Sequence, residues 1–569
     1  MIVIKPNAVP DNDDFARAGT ATYVGPDGKL KTAASDAPRY QDGVLLVEAA
    51  GSNLLQISED MRNTAEAGSA RPWVQFDDTA DAVLVAPVTT TRPDGASGSV
   101  SKLTVNTTGT LQRQVSQVVS GIADSTVVTF SVFIKAVEAP RVALKIGTKA
   151  NTYPGATFDL STGGITSSVA GVLSSGAMAL AGGWWRCWVV ADVGTGGTTP
   201  SAIAQLKNGA DADYSGTVGD GVYIWGGQLE VGSAPTSYIP RTGTAAASRV
   251  ADTYTGGYIA CGDLDGRWGG SYPLVLRETN DGPLWSAATA YVVDDYVVRT
   301  QTHRVYRRLI AGTTATAPEN DATNWEDLEA TQKYLAFDGL SSKGSGLERL
   351  YSLAFSIWLA GANAISLIGI RGVTATIKVT DGAGGAVIYT ASKTLGDDRY
   401  SYPAWTGAET RDYLADWHVS DIPAGYPDAV VHVVILESAT LARYASVREI
   451  YLGAGFDIGE TQAGARVGIT DYSRKETDAF GNVTFVRRAF SKRMSCEVRV
   501  PRADFQKVYS LLADLRATVC QWIPESSGAY GPLMLQGWYR DFSIAVAYPT
   551  YLLCTLEVEG LAVDTLLES

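Results

Sequence analysis

In the run FSVFIKA at 130–136, Phe130, Val132 and Ile134 fall on one side and Ser131, Phe133 and Lys135 on the other. Successive strand residues point to opposite faces, so this alternation is that of a half-buried strand in a sandwich. ATIKVTD, AVIYTAS and AVVHVVILES further along the 569-residue chain also read as strands. A helical period is convincing in one place, PRADFQKVYSLLADLRA, where Phe505, Val508, Leu512 and Leu515 recur on one face. With 59 Gly, 22 Pro and only 19% charged residues, the chain is built of many short strands joined by tight turns. Its length exceeds what one hydrophobic core can serve, and about three to five domains are expected. The fold class is therefore mainly β and multidomain: a β-sandwich, a small β module, a second β-sandwich and a C-terminal α+β domain.

Turn signals and composition shifts divide the chain. Residues 1–52 form a turn-rich lead-in or anchor, with YVGPDGKL supplying a Pro-Asp-Gly turn. Residues 53–245 alternate strands with Gly, Thr, Ser and Asp loops and make the first β-sandwich. A glycine-rich connection follows at 246–282. Residues 283–330 are a compact module that gathers Trp285, Tyr291, Tyr296, Tyr306 and Trp325, because a unit so small needs aromatics for its apolar contact. The second β-sandwich spans 331–456, with DGAGG as a hairpin turn. Residues 457–569 hold the helix with strands on both sides.

Charge and sparse chemistry exclude several classes. Acidic residues outnumber basic ones 60 to 46, giving a formal charge of −14, a field that repels nucleic-acid phosphates and anionic headgroups. Nucleic acid is not an expected partner. The first residues are too short an apolar run for a secretion leader, so synthesis in the cytosol without export by such a leader is expected. The most apolar window, MALAGGWWRCWVV, contains Arg186 and falls short of the roughly 20 apolar residues that a spanning helix needs. No membrane insertion is expected. Five cysteines at wide spacing form no CxxC pair, and His303, His418 and His432 stand in no ligand spacing, so no metal, no cofactor and no disulfide framework is expected. DADYSG places Asp211, Asp213 and Ser215 at calcium-loop positions, but Val222 occupies the twelfth, where a carboxylate belongs, so a solvated loop is the better account. No nucleophile elbow or phosphate loop is present, and no catalytic residue is singled out.

The runs FARAGTATYVGPDGKLKTAASDAPRY, GVLLVEAAGSNLLQISEDM, PDGASGSVSKL, FSVFIKA, FDLSTGGI, GGWWRCWV and GVYIWGGQLEVGSAPTSYIPRTG stand in this order within about residues 15–252. Together they resemble the carbohydrate-binding-like jelly-roll proteins of tailed bacteriophages. The stretch LWSAATAYVVDDYVVRTQTHRVYRRLIAGTTATAPENDATNWEDL resembles the small chitin-binding type module of chitinases and phage tail proteins. Trp285, Tyr291, Asp295, Tyr306 and Trp325 keep its pattern, and Asp294 replaces its glycine. The C-terminal run from GETQAGARVGITDYSRKETDAFGNVTFVRRAFSKRMSCEVRV resembles a domain at the end of phage tail and baseplate proteins. These resemblances imply a virion component that attaches through 457–569 to other tail or baseplate proteins and meets a host receptor, whether glycan, pilus or outer-membrane protein. Avidity then implies a homo-oligomer, with a trimer expected.

Candidate ligand contacts are the aromatic rings. Tyr223 and Trp225 sit at i and i+2 on one strand face, as a sugar platform would, while Val222 and Ile224 make the other face apolar too, so core packing is the heavier reading. Of Trp184 and Trp185, one must face the core and the other is a candidate contact; Trp185 is carried forward. Trp285, Tyr291, Tyr306 and Trp325 are candidates by the module resemblance. Arg474, Lys475, Arg487, Arg488, Lys492 and Arg493 form a basic cluster in an acidic protein, around a DAFGN hairpin turn, which suits docking on an acidic neighbouring subunit. The expected function is non-enzymatic host adhesion and tail assembly. The alternatives are a polysaccharide depolymerase, against which the absence of a β-helix repeat speaks, and a structural spacer that binds no sugar.

Overall fold

The structure is a computed structural model that describes residues 1–6, 13–62, 73–77, 83–110, 112–209, 212–241, 243, 247–264, 274–338, 346–359, 361–395, 415–437, 443–477, 483–486, 488–524, 533–546 and 548–563. It is mainly β, with Phe505–Asp514 the only α-helix among the described residues. The chain divides into two compact units: Phe15–Asp42 with Leu46–Thr253, and Met1–Asp14 with Gly43–Leu45 and Tyr254–Ser569.

The first of these is a β-sandwich. One sheet runs in the order Val172–Ala179, Trp184–Asp192, Val127–Ala136, Gly221–Val231, Ser97–Val105, Val83–Thr91. The other runs Gly164–Ser168, Gly155–Asp159, Arg141–Gly147, Ser201–Asn208, Arg113–Val118, Trp73–Asp77. Phe130, Val132 and Ile134 enter the core between the sheets, as their alternation predicts, together with Val222, Ile224 and Leu229. Phe133 points the other way, into a second cluster on the outer face of the same sheet with Leu30, Val100, Leu180, Trp184, Trp225 and Tyr238. Leu30 comes from the hairpin of Ala21–Val24 and Leu30–Ala33. Part of the segment expected as a lead-in therefore seals the outer face of the sandwich.

Gly226 and Gly227 make this double burial compatible with one strand. Ser131 lies opposite Gln228 but Phe133 lies opposite Trp225, so Gly221–Val231 carries an extra residue, and Gly226 takes it up at φ 65°. A bulge of this type shifts the side-chain parity. Val222 and Ile224 before it and Leu229 after it all reach the core, while Trp225, Gln228 and Glu230 share the outer face.

Polar groups bury themselves on that outer face by pairing. Gln228 donates to Glu230 Oε1 (2.7 Å) and its Oε1 accepts the Ile239 N–H (2.6 Å). Arg39 pairs with Glu48 (2.9 Å) and with Asp252, Arg249 with Glu48 (3.1 Å), and Arg17 with Asp252 (3.3 Å). Arg17, Arg39, Arg249 and Asp252 are all buried. Buried charges are tolerated when each finds a partner.

The other unit is built on a sheet ordered Ala415–Val419, Ala364–Ile370, Glu449–Asp457, Ile2–Pro6, Cys520–Ile523, Leu535–Ala545, Tyr551–Val563, Phe490–Pro501, Glu460–Thr461, with Arg466–Asp471 also on Phe490–Pro501. Ile2–Pro6, within the expected lead-in, is antiparallel to both Glu449–Asp457 and Cys520–Ile523. The sheet thus runs unbroken from the region expected as a second sandwich into the expected α+β domain. A second sheet, Thr253–Gly262, Ser352–Trp358, Val430–Leu436, Thr374–Thr380, Val387–Thr394, encloses a core with Phe355, Ile365, Leu367, Ile377 and Val433. The helix packs Val508 and Leu512 against Val498, Val500, Cys554 and Leu556, with Leu515 just beyond it also buried. Phe505, expected on that same face, is instead 37% exposed and leans toward Tyr509, because it sits in the first turn at the rim of the sheet. The five cysteines are free and buried.

Candidate functional site

The rings singled out in the sequence are mostly used up by folding. Trp225 is 3% exposed and packs between Phe133 (ring centroids 5.6 Å) and Tyr238 (5.2 Å), with Arg92 over its face. Tyr223 is half-buried against the same cluster. Trp184 is buried and donates to Thr91 O (3.0 Å). Trp185 is half-buried against the sandwich core, donates to Leu160 O (2.9 Å), and lies so close over Gly163 that a Cβ there would fall 2.2 Å from it.

In the small module, Tyr291, Tyr306 and Trp325 are its core, with Tyr291 and Trp325 edge to face at 5.1 Å and Arg308 over Trp325. Trp285 packs on that core beneath Arg299, 4.8 Å from its centroid. Trp225, Tyr291, Tyr306 and Trp325, expected as ligand contacts, are thus all buried. A ring with both faces packed has none to offer a sugar, and a small three-stranded unit has no other material for a core.

The ring that the sequence reading counted as core, Tyr296, is 50% exposed. It begins the strand Tyr296–Arg299, and Val297, the next residue, takes the core side. That parity is the signal by which Tyr296 was findable. It lines a cleft of about 330 Å³ with Asn280, Asp281, Val305, Leu328, Glu329, Ala330 and Gln332. The cleft has one phenol ring and three aliphatic side chains for walls, and two amides and two carboxylates for polar contacts.

Hydrogen bonds hold the backbone of this cleft in place. Asp281 Oδ2 accepts the Gln332 N–H (2.8 Å), and Glu278 Oε1 accepts from the Thr331 hydroxyl (2.8 Å). His303 Nδ1 lies 3.0 Å from the same Glu278 oxygen, and its ring stacks on Tyr334 at 3.8 Å. Burial raises the Asp281 carboxyl above its usual range, although the Gln332 N–H and Arg349 act against this. Aromatic faces stack on the CH side of a pyranose while amides and carboxylates take its hydroxyls, so the arrangement suits a neutral or amino sugar and disfavours an acidic one.

A second cleft, of about 500 Å³, is lined by Arg516, Ala517, Val519, Trp538, Tyr539 and Arg540. Tyr539 closes one side by donating to Leu512 O (2.7 Å), and Arg516 Nε donates to Ala513 O (2.8 Å).

Of the basic cluster, Arg474, Lys475, Lys492 and Arg493 lie on paired strands at the C-terminal end, Arg488 lies between two of these strands, and Arg487 lies outside the described residues. Asp213 of the DADYSG loop accepts from Gln205 (3.0 Å) and pairs with Lys207 (3.1 Å), while Asp211 lies outside the described residues. Among the described residues no group of three or more His, Cys, Asp or Glu side chains is placed to hold a metal ion, and no helix is long and apolar enough to cross a membrane.

No protein-family model and no curated protein matches the sequence. Solved structures with a local likeness include the enzymatically active domain of bacteriophage CBA120 tailspike protein 4, at 12% identity and TM-score 0.21, over 31% of this chain and 21% of that one. The tandem CBM22 domains of Paenibacillus barcinonensis Xyn10C align at 10% identity and TM-score 0.20, over 72% of this chain and 99% of theirs. The mannan-recognising carbohydrate-binding module TmCBM27 aligns at 10% identity and TM-score 0.18, over 28% and 90%. An exo-beta-agarase aligns over 25% of its length, so the chain spans a quarter or less of this enzyme and of the tailspike domain. At such TM-scores these likenesses carry no argument about function.

Proposed function

We propose that this chain is a non-enzymatic glycan-binding protein of a bacteriophage tail tip, baseplate or fibre, acting in host adhesion and tail assembly. The observation that carries the glycan part is the Tyr296 cleft: a half-exposed ring flanked by the Asn280 and Gln332 amides and the Asp281 and Glu329 carboxylates. The phage part rests on the order of sequence motifs between about 15 and 252 and on the C-terminal run. A single open cleft of this size gives weak binding, and several copies in a homo-oligomer raise the effective concentration enough for adhesion.

The test is an array of neutral, amino and acidic glycans probed with the full chain and with Tyr296→Ala. Binding to neutral or amino sugars that Tyr296→Ala removes supports the reading; binding that survives the substitution refutes this site. Mass spectrometry of assembled particles tests the virion role.

One observation favours a second reading, a polysaccharide hydrolase. Asp281, with its raised pKa, shares a cleft with Glu329, and glycosidases work with two carboxyl groups of differing protonation. Release of reducing ends from host polysaccharide, lost in Asp281→Asn, would replace adhesion by that activity.

A further inference from the structure

The edge strand Arg466–Asp471 pairs with Phe490–Pro501, with Ile469 opposite Lys492 and Gly468 opposite Arg493. The same two segments continue beyond the sheet as Arg474–Thr477 paired with Val483–Val486. Two hydrogen bonds join the parts: Tyr472 N–H to Ala489 O (3.2 Å) and Arg488 N–H to Ser473 Oγ (3.0 Å). The distal pair is a two-stranded β-arm that extends past the sheet, within which Phe490–Pro501 also pairs with Tyr551–Val563.

Its distal part has no core of its own. Phe485 is 76% exposed, Val483 43%, and Ile469 nearer the sheet 57%. An isolated two-stranded ribbon is at best marginally stable in water, and exposed apolar side chains along it mark a contact surface. The arm and its base are also basic: among the described residues, Arg474, Lys475 and Arg488 on the arm and Arg466, Lys492 and Arg493 at its base stand against Asp471 and Glu476. Arg474 pairs with Glu476 on its own strand, whereas Arg466, Lys475, Arg488, Lys492 and Arg493 make no ion pair among the described residues.

An acidic counterpart lies on the same sheet. Asp541 and Glu557 are direct cross-strand partners, and Glu497 lies on the strand beyond. Their neighbours Phe542, Leu556 and Val558, and Cys496 and Val498, face the helix-side core, so the three carboxylates point to the opposite face, where all three are exposed. None makes an ion pair among the described residues. Like charges directly opposed across strands are destabilising, and an arriving cation relieves them.

We propose that the β-arm of one copy docks on the Glu497, Asp541 and Glu557 face of a second copy of this chain. The partner is identified by charge complementarity: a basic arm on a chain of formal charge −14 that displays an unpaired acidic face. Because the distal arm, with Lys475 and Arg488, and the carboxylate face are different surfaces, the contact is heterologous, and repeated it gives a closed ring if the rotation closes and an open filament if it does not. This names the surface by which copies meet in the adhesion reading and rests on that reading only in that respect.

Light scattering on the full chain tests it. At low salt the protein associates, and molar salt dissociates it, because screening removes the attraction between exposed charges. The double variant Lys475→Glu, Arg488→Glu weakens association by about tenfold or more, and so does Asp541→Lys, Glu557→Lys. A chain carrying both reversals associates again. Unchanged circular dichroism and melting confirm that all variants fold, since every substituted residue is exposed. A wild-type chain that stays monomeric at low salt, reversals that leave association unchanged, or a combined reversal that fails to restore it would overturn the proposal, the first by pointing to a partner other than a second copy and the last two by pointing to a contact other than the arm on this face. Glycan binding by the unassociated variants reports on the Tyr296 cleft separately, so the two readings fail independently.

Discussion

Gly226 turns its backbone directly against the ring of Phe133: with φ at 65°, an added Cβ would stand 2.7 Å from Phe133 Cδ2. Two costs meet at this position. Left-handed backbone disfavours any side chain by about 1–2 kcal/mol, and forcing an atom into a packed cluster costs about 1–3 kcal/mol. Gly226→Ala is therefore expected to destabilise the sandwich by roughly 2–5 kcal/mol, read from denaturant unfolding. An unchanged midpoint would mean that the bulge does not set the strand's register.

Trp225 separates packing from recognition. Its ring is enclosed by Phe133, Tyr238 and Arg92, so Trp225→Ala is expected to cost about 3–5 kcal/mol of stability and to leave glycan affinity unchanged in the fraction that folds. Loss of binding by a fully folded variant would return Trp225 to the ligand contacts.

Tyr296 is expected to behave in the opposite way. Removing an exposed ring changes stability by no more than about 0.5 kcal/mol, so Tyr296→Ala should melt like the wild type. Its glycan affinity should fall about tenfold, the loss of one stacking ring worth about 1–1.5 kcal/mol. Isothermal titration with a glycan from the array measures both affinity and stoichiometry.

His432 makes the stability of its unit depend on pH. Its ring lies buried between the Ser356 hydroxyl at Nδ1 (2.8 Å) and the Thr380 hydroxyl at Nε2 (3.0 Å), and burial pushes its pKa down to about 3. The unfolded chain takes up a proton below about 6.5 that the folded chain refuses, so folding free energy falls as pH drops from about 6.5 toward 3, by at most about 1.4 kcal/mol per pH unit. His432→Gln should flatten that slope. An equal slope in both proteins would assign the acid sensitivity elsewhere.

Glu48 adds an acid-sensitive lock to the sandwich. Burial alone would raise its carboxyl, but Arg249 and Arg39 together hold it below its ordinary value near 4.5. A depressed carboxylate stabilises the fold above the unfolded pKa, and the benefit is lost as pH falls below about 4.5 through the folded value. Glu48→Gln leaves Arg249 without a carboxylate and should cost about 3–5 kcal/mol at neutral pH, with the difference from wild type shrinking in acid.

Side-chain alternation and turn chemistry are properties of neighbouring residues, so the mainly β character, the inward set Phe130, Val132 and Ile134, and the helix at Phe505–Asp514 were legible before any fold was known. The hairpin that carries the basic cluster was legible for the same reason. What lies on top of a sheet is not a local property. Alternation places Tyr223 and Trp225 on one face, yet only the tertiary structure brings Leu30 and Tyr238 over that face and closes it. Likewise nothing near Met1 signals that Ile2–Pro6 pairs with Glu449–Asp457, because strand pairing joins residues far apart in sequence. Tyr296 shows the same division. Its parity against Val297 could be read from the sequence, but the cleft it lines exists only where residues 280–281 and 328–332 come together beside it. Sequence decided which residues each strand must bury; the tertiary structure decided which remaining faces stayed open, because that depends on what distant segments cover.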